Sequence, residues 1–321
     1  MEVLILGKGK VGQAVAYYLK KFKAAKKVAF FSNEKEIKNF DILIGALPSG
    51  VAEKSLKLAL KYEKDLIDVS TVAIPFYLKH KKEILKKGIK VIPGCGFSPG
   101  LVNLIVGFEA QNFEEINNIE ISAGTLPKNV KFFFPFTWCF EDLIEEHLEG
   151  FSGYKKEKLK GVGEFESYFT EEWNSLLYSL KPKNISFRVI RPIGFFHFFQ
   201  YLKNYGFFKK ENLSLVKNLL TKKIGDNATL ALIKISGIKQ KKKKEVIWKI
   251  FSFAKKDEKL NSMQKITALV PVAILDSLSQ NEIKNKGILF LEEIAKNKEL
   301  FQEILAKIKK KVDISRRISY N

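Results

Sequence analysis

Cysteine is scarce in this chain. Cys95 and Cys139 are the only two in 321 residues, too few for a disulfide framework or a cysteine-rich zinc site. The three histidines, His80, His147 and His197, stand far apart and give no metal-ligand spacing, so no metal is expected. No run approaches the ~18 uninterrupted apolar residues of a membrane span. Met1-Glu2 leads directly into an apolar stretch, without the basic segment that opens a signal peptide. No Gly/Ser-rich or proline-rich linker and no internal repeat divides the chain. These absences leave a cytoplasmic protein with no membrane partner as the expectation. At roughly 100–200 residues per domain, two domains fit the length.

Arginine is almost missing. Of 56 basic residues only Arg188, Arg191, Arg316 and Arg317 are arginines, and the net charge is +21. That charge points at first to nucleic acid. The lysines, however, are spread along the chain beside abundant Phe, Ile and Asn, four residue types that A/T-rich codons encode. A protein reading a nucleic-acid groove would use arginine forks on bases and phosphates. No nucleic-acid partner is therefore expected. Lys241–Lys244 and Lys309–Lys311 read as a solvated hairpin turn and a solvated helix end.

What is present is alternation. Hydrophobic residues make up 46% of the chain and charged residues 28%, enough for a full core. Short apolar runs at Val3–Leu6, Lys27–Phe31, Ile42–Gly45, Leu66–Val69 and Ile89–Ile92 read as strands. Helical spacing separates them at Val11–Phe22, Ser49–Tyr62 and Pro75–Lys87, and another helix follows Pro99. This pattern predicts a Rossmann-type parallel sheet covered on both faces, over residues 1–113. From Ile116 strands dominate: Ile119–Ala123, Val130–Phe136, Phe187–Ile190, and a hairpin of Thr229–Ile238 with Glu245–Phe253. Residues 114–261 are thus expected to form an α+β substrate and dimerisation domain. Helices at Met263–Leu278 and Glu292–Val312 are expected to pack back on the first domain from 262–321.

Gly7-Lys8-Gly9-Lys10-Val11-Gly12 is G-x-G-x-x-G between the first strand and the first helix. Gly7 permits a tight turn, Gly9 leaves room for a pyrophosphate, and Gly12 lets the helix approach the strand. The backbone N–H groups around Lys10 and Val11, at the helix start, face the anion. A dinucleotide is expected there. An acid at the end of the second strand would bind the ribose hydroxyls and repel a 2′-phosphate. Ser32 stands at that place, with Lys35 close by, which tilts the expectation toward NADP, with NAD possible; Glu34 nearby argues the other way.

Gly94-Cys95-Gly96-Phe97-Ser98-Pro99-Gly100-Leu101-Val102-Asn103 resembles a segment of the saccharopine dehydrogenase family, in its lysine dehydrogenase and saccharopine reductase branches. Other segments agree. Asp41–Pro48 resembles a strand ending in A-L-P. Ile67–Ser70 resembles a D-V-S strand end, and Gly161–Glu171 a G-x-G-E-L-E stretch. Arg191-Pro192-Ile193-Gly194 resembles R-Y-P-G. The chain departs from the family at Phe195, where a histidine is usual, at Thr125, and in the short Ser32–Phe40 connection.

The resemblance implies hydride exchange between a nicotinamide and a C–N bond of a lysine-derived or related amino acid, in a homodimer. The departures keep a second reading open: a dinucleotide-binding sensor without turnover. Ala46-Leu47-Pro48, Ser70 and Gly94-Cys95-Gly96 fall at strand ends, where cofactor is bound in such sheets. Asp68 is read as the proton-handling group, or as a cap of the following turn. Arg191 is read as the grip on a substrate carboxylate, because lysine cannot replace its planar fork, or as half of a structural ion pair. Glu166 is read as a holder of the substrate ammonium, or as another structural partner. His147 is expected to be exposed and His197 packed. Cys95 reads as a small packed residue rather than a nucleophile.

Overall fold

Strand and helix alternate through the first third of the computed structural model. It describes all residues except 129–133, 135–136, 149–151, 160–161, 171–174, 221–224 and 321. The order is β1 (Glu2–Leu6), α1 (Lys10–Lys21), β2 (Lys27–Phe30), β3 (Ile42–Gly45), α2 (Lys54–Tyr62), β4 (Asp65–Asp68), α3 (Ile74–Lys79), α4 (Lys81–Lys87), β5 (Lys90–Ile92) and α5 (Leu101–Ala110). The strands are apolar along nearly their whole length because helices cover both faces.

Two expected helices are broken. Ser49–Val51 is a 3-10 turn rather than the start of α2, as Ser49 and Gly50 favour. The Pro75–Lys87 helix divides at His80. Its Nδ1 lies 2.9 Å from the Phe76 carbonyl, the acceptor a continuous helix needs, so the His80 N–H turns to Tyr77 instead.

The rest of the chain gives β6 (Glu115–Pro127), α6 (Phe140–Leu148), β7 (Ser152–Leu159), β8 (Gly163–Phe169), α7 (Leu176–Ser179), β9 (Asn184–Arg191), α8 (Phe195–Asn204) and α9 (Leu213–Leu220). Then come β10 (Asn227–Lys239), β11 (Lys242–Ala254), α10 (Ser262–Ser279), β12 (Gly287–Ile288), α11 (Leu291–Ile294), α12 (Lys298–Lys309) and β13 (Asp313–Tyr320). The hairpin forms where expected. Gln240 and Lys241 both take positive φ, as a two-residue turn requires. Lys244 is not a solvated turn residue: it is buried, with Nζ on the Asn112 carbonyl and over the Phe113 ring. The expected helix Glu292–Val312 is also two, since Asn297 caps a fresh start at α12. Val130–Phe136 lies outside the described residues except for Phe134.

Two sheets result. The first is all parallel, in the order β12-β5-β4-β3-β1-β2. The second has the order β13-β11-β10-β6-β9-β8-β7, antiparallel except where β6 meets β9. β12 and β13 give the C-terminal segment a strand in each sheet. α10 packs against α1 as well as β10 and β11, and one buried cluster runs from β1 through α5 to α10 and β10. In the first sheet the strand order reverses between β1 and β3. Ligands of such sheets bind beyond the carboxyl ends at that point.

Candidate functional site

The reversal point lies between Gly7, after β1, and Ala46, after β3. Gly7 has φ +127°, and a Cβ there would collide with the Ala46 carbonyl. At Gly12 a Cβ would collide with the Gly7 carbonyl. Gly9 is different: a Cβ built there meets nothing within 4 Å. The turn is drawn tight on its inner side and open on its outer side. Gly9 is also the N-cap of α1, and no side chain caps that helix. Its first N–H groups and the positive end of the helix dipole are therefore presented to the crevice. Lys10 adds an ammonium whose pKa is pushed down to about 8, by burial first and then by Lys217 on α9.

Strand tips form the rest of this wall. The Leu47 N–H donates to Ser70 Oγ at 3.0 Å. The Cys95 N–H donates to the Asp68 carbonyl at 2.8 Å. Gly7, Gly9, Lys10, Val11, Ala46, Leu47, Pro48 and Gly94 keep exposed surface, whereas Gly12, Ser70, Cys95 and Gly96 are buried behind them. The Cys95 thiol is driven well above its ordinary pKa by burial and then by Asp68, so it is inert.

The structure gives Asp68 a supporting job. It is fully buried, accepts from the Ser70 N–H and from the Tyr77 hydroxyl, both at 2.9 Å, and its carboxyl pKa is raised by burial. Those two bonds brace the turn after β4. The Ser70 N–H bond is the one the capping alternative expects.

The facing wall comes from the second sheet and α6. Glu166 and Arg191 are cross-strand partners on β8 and β9. The Glu166 carboxylate turns to the start of α8, where it accepts from the Gly194 N–H at 2.9 Å and the Phe196 N–H at 2.5 Å. Its oxygens thereby cap the start of α8. Arg191 is buried and donates to Glu146 at 2.8 Å and to the Ile190 carbonyl at 3.0 Å. Trp138 and Phe195 lie against its guanidinium. Burial raises the Glu146 pKa while Arg191 opposes that rise. Glu171 lies outside the described residues.

α6 joins the two walls. Asp142 and Glu145 accept from Ser49 Oγ at 2.8 and 2.9 Å across the crevice, and Glu146 reaches back to Arg191. His147, expected to be exposed, is fully buried, because it completes the inward stripe Phe140, Leu143, Ile144, His147. His197, expected to be packed, is exposed: α8 buries Phe195, Phe199 and Leu202, and position 197 falls on the opposite side. Among the described residues no group of three His, Cys, Asp or Glu could hold a metal, and no helix is long and apolar enough to cross a membrane.

Ser32 occupies the tip of β2, but not alone. Its hydroxyl donates to Glu36 Oε1, as do the Asn33 side-chain amide at 2.7 Å and the Asn33 N–H at 3.2 Å. Glu34, the acid noticed in the sequence, is turned away onto Lys61 and Tyr62. Glu36 was missed, although Asn33-Glu34-Lys35-Glu36 has the spacing of a capping box.

No family model matches the sequence. The fold is that of saccharopine dehydrogenase. The structure of the apo L-Glu-forming enzyme from Saccharomyces cerevisiae matches with a TM-score of 0.70 at 14% identity, over 99% of each chain. Homospermidine synthase from Legionella pneumophila, solved with NAD, matches at TM-score 0.61 and 13% identity, over 99% of this chain and 91% of that one. A meso-DAP dehydrogenase mutant from Clostridium tetani, solved with DAP, matches at TM-score 0.51 and 14% identity, over 94% and 95%.

Proposed function

We propose that this chain is a nicotinamide-dinucleotide oxidoreductase that transfers hydride at a C–N bond of a lysine-derived or related amino acid, like a lysine dehydrogenase or saccharopine reductase. One observation carries the reading: the uncapped N-terminus of α1 opens, through the empty space over Gly9, onto the reversal point of a parallel sheet. The names of the similar structures, which cover nearly the whole chain, support the same reaction class. A bound nicotinamide supplies the hydride donor or acceptor. The Gly9–Val11 backbone and Lys10 would hold the pyrophosphate, and Ala46–Pro48 would line its ribose side. Arg191 would take a substrate carboxylate by exchanging it for the Glu146 carboxylate, which meets the guanidinium through one oxygen at 2.8 Å, where a substrate carboxylate could bind bidentately. The protein is proposed to act as a cytoplasmic homodimer.

A second reading has its own support. Asp68, Glu166 and Arg191 are all engaged by protein groups, as in a dinucleotide-binding sensor without turnover. Nicotinamide fluorescence on titration and absorbance with a panel of lysine, saccharopine and carbonyl–amine pairs separate the two. Binding with turnover supports the oxidoreductase. Binding without turnover supports the sensor, and no binding removes both.

A further inference from the structure

We infer that Glu36 selects NAD over NADP, with its carboxylate placed to accept the ribose hydroxyls and to repel a 2′-phosphate. The inference rests on the dinucleotide reading above and reverses the expectation drawn from Ser32 alone.

The placement follows from strand register. Ile5 pairs with Phe30, and the Phe31 N–H continues the ladder onto the Ile5 carbonyl. Carried forward, Ser32 lies beside Gly7, about 4.8 Å away across the sheet. Whatever hangs on Ser32 therefore borders the phosphate turn, on the side where the adenosine ribose must sit. What hangs there is Glu36. It stands on the 3-10 turn Glu34–Asn39 and folds back over the strand tip. The hydrogen bonds it accepts from Ser32 Oγ, Asn33 Nδ2 and the Asn33 N–H all fall on Oε1. They fix the carboxylate in place through Oε1 and leave Oε2 without one of these donors.

The charge is not cancelled locally. Three nearby lysines pair with other carboxylates: Lys61 with Glu34, Lys57 with Glu53, Lys27 with Glu2. Lys54 lies over the Phe31 ring. Among the described residues none forms an ion pair with Glu36. A ribose diol can donate to such a carboxylate in a charge-assisted bond. A phosphate dianion brought against the same carboxylate meets repulsion from it.

The test is titration of the full-length protein with NADH and with NADPH, followed by nicotinamide fluorescence. NADH should bind at least about tenfold more tightly, the effect of one lost charge-assisted bond. Glu36→Gln should reduce that ratio to under about threefold, chiefly by weakening NADH. Ser32→Ala, a second variant that frees the Glu36 side chain without removing its charge, should reduce the ratio by a smaller factor. Glu34→Gln should leave it unchanged, because that acid is held by Lys61 and Tyr62. Equal or tighter binding of NADPH overturns the inference and leaves the dinucleotide reading standing. So does a ratio that neither Glu36→Gln nor Ser32→Ala alters, or one that Glu34→Gln alters as much. Binding of neither nucleotide overturns both.

Discussion

The two walls of the crevice are made of different material. The Rossmann wall is backbone: glycines, strand tips and an uncapped helix, with open space over Gly9. The facing wall is side chains already bonded to one another: Arg191 to Glu146, Glu166 to the start of α8, His147 packed beneath them. Backbone sites are ready before a ligand arrives, because nothing has to be displaced. A wall of paired side chains must exchange partners, so its affinity is reduced by whatever the existing pairs contribute.

Two glycines of one turn sharpen the comparison most. Gly12→Ala pushes a methyl into the Gly7 carbonyl, and overpacking of that kind should cost about 3 kcal/mol of stability, read from the denaturation midpoint. Gly9→Val adds bulk where no protein atom lies within 4 Å, so stability should change by less than ~0.5 kcal/mol. NADH affinity should nevertheless fall about 100-fold, because the side chain fills the pyrophosphate's place. If Gly9→Val destabilises as much as Gly12→Ala, the outer side of the turn is packed and the open wall does not exist.

The facing wall is probed through Arg191. Arg191→Lys shortens the reach to Glu146 and removes the planar fork. Removing a partner from a buried pair costs roughly 3–5 kcal/mol. Glu146 keeps 26% of its side chain exposed, so about 2 kcal/mol is the expected loss here, after allowance for solvent screening. Combining it with Glu146→Gln should cost less than the sum of the single changes. In the active enzyme Arg191→Lys should also raise KM for a carboxylate substrate about tenfold, with a smaller change in kcat. An additive double variant would mean that the two groups do not depend on each other.

Much of this was legible in the residues. The parallel sheet shows as short apolar runs, and the phosphate turn shows because glycine is the residue that both of its close approaches admit. The long hairpin shows through alternation. The strands β7 and β13 do not: both are exposed edge strands with polar or charged side chains and no buried face to leave a period-two pattern. The pairing of side chains across distant segments was equally hidden. Arg191 stood out by rarity, but nothing near it in sequence announces Glu146, which reaches it from α6. Asp68 stood out as an acid at a strand end, but its bond to Tyr77 comes from α3, which nothing beside it in sequence announces. Glu36 was within local reach, since the capping-box spacing is a sequence signal, but the folding-back of its carboxylate onto Ser32 depends on the short connection between β2 and β3.

The smallest effect tests how dry the facing wall is. His147 is fully buried, with Arg191 close enough that its charge, after burial itself, holds the imidazole pKa well below 6.5. The ring is therefore neutral in the folded protein. In the unfolded chain it takes up a proton near pH 6.5. Below that pH the unfolded state binds more protons than the folded one, so stability falls as the solution is acidified. The loss approaches about 1.4 kcal/mol per pH unit for as long as the folded ring stays neutral. Glu146, Asp68 and Glu292 act in the opposite sense. Burial raises their carboxyl pKa values, so acidification relieves a cost that the folded state carries at neutral pH. The net curve mixes these terms, and a difference measurement separates them. Between pH 7.5 and 5.5 the wild type should lose more stability than His147→Gln, by about 1–2 kcal/mol. Parallel curves would mean that His147 takes its proton in place, which requires water in the Arg191 layer. Arg191 would then already be solvated, and a substrate carboxylate could reach it without displacing Glu146.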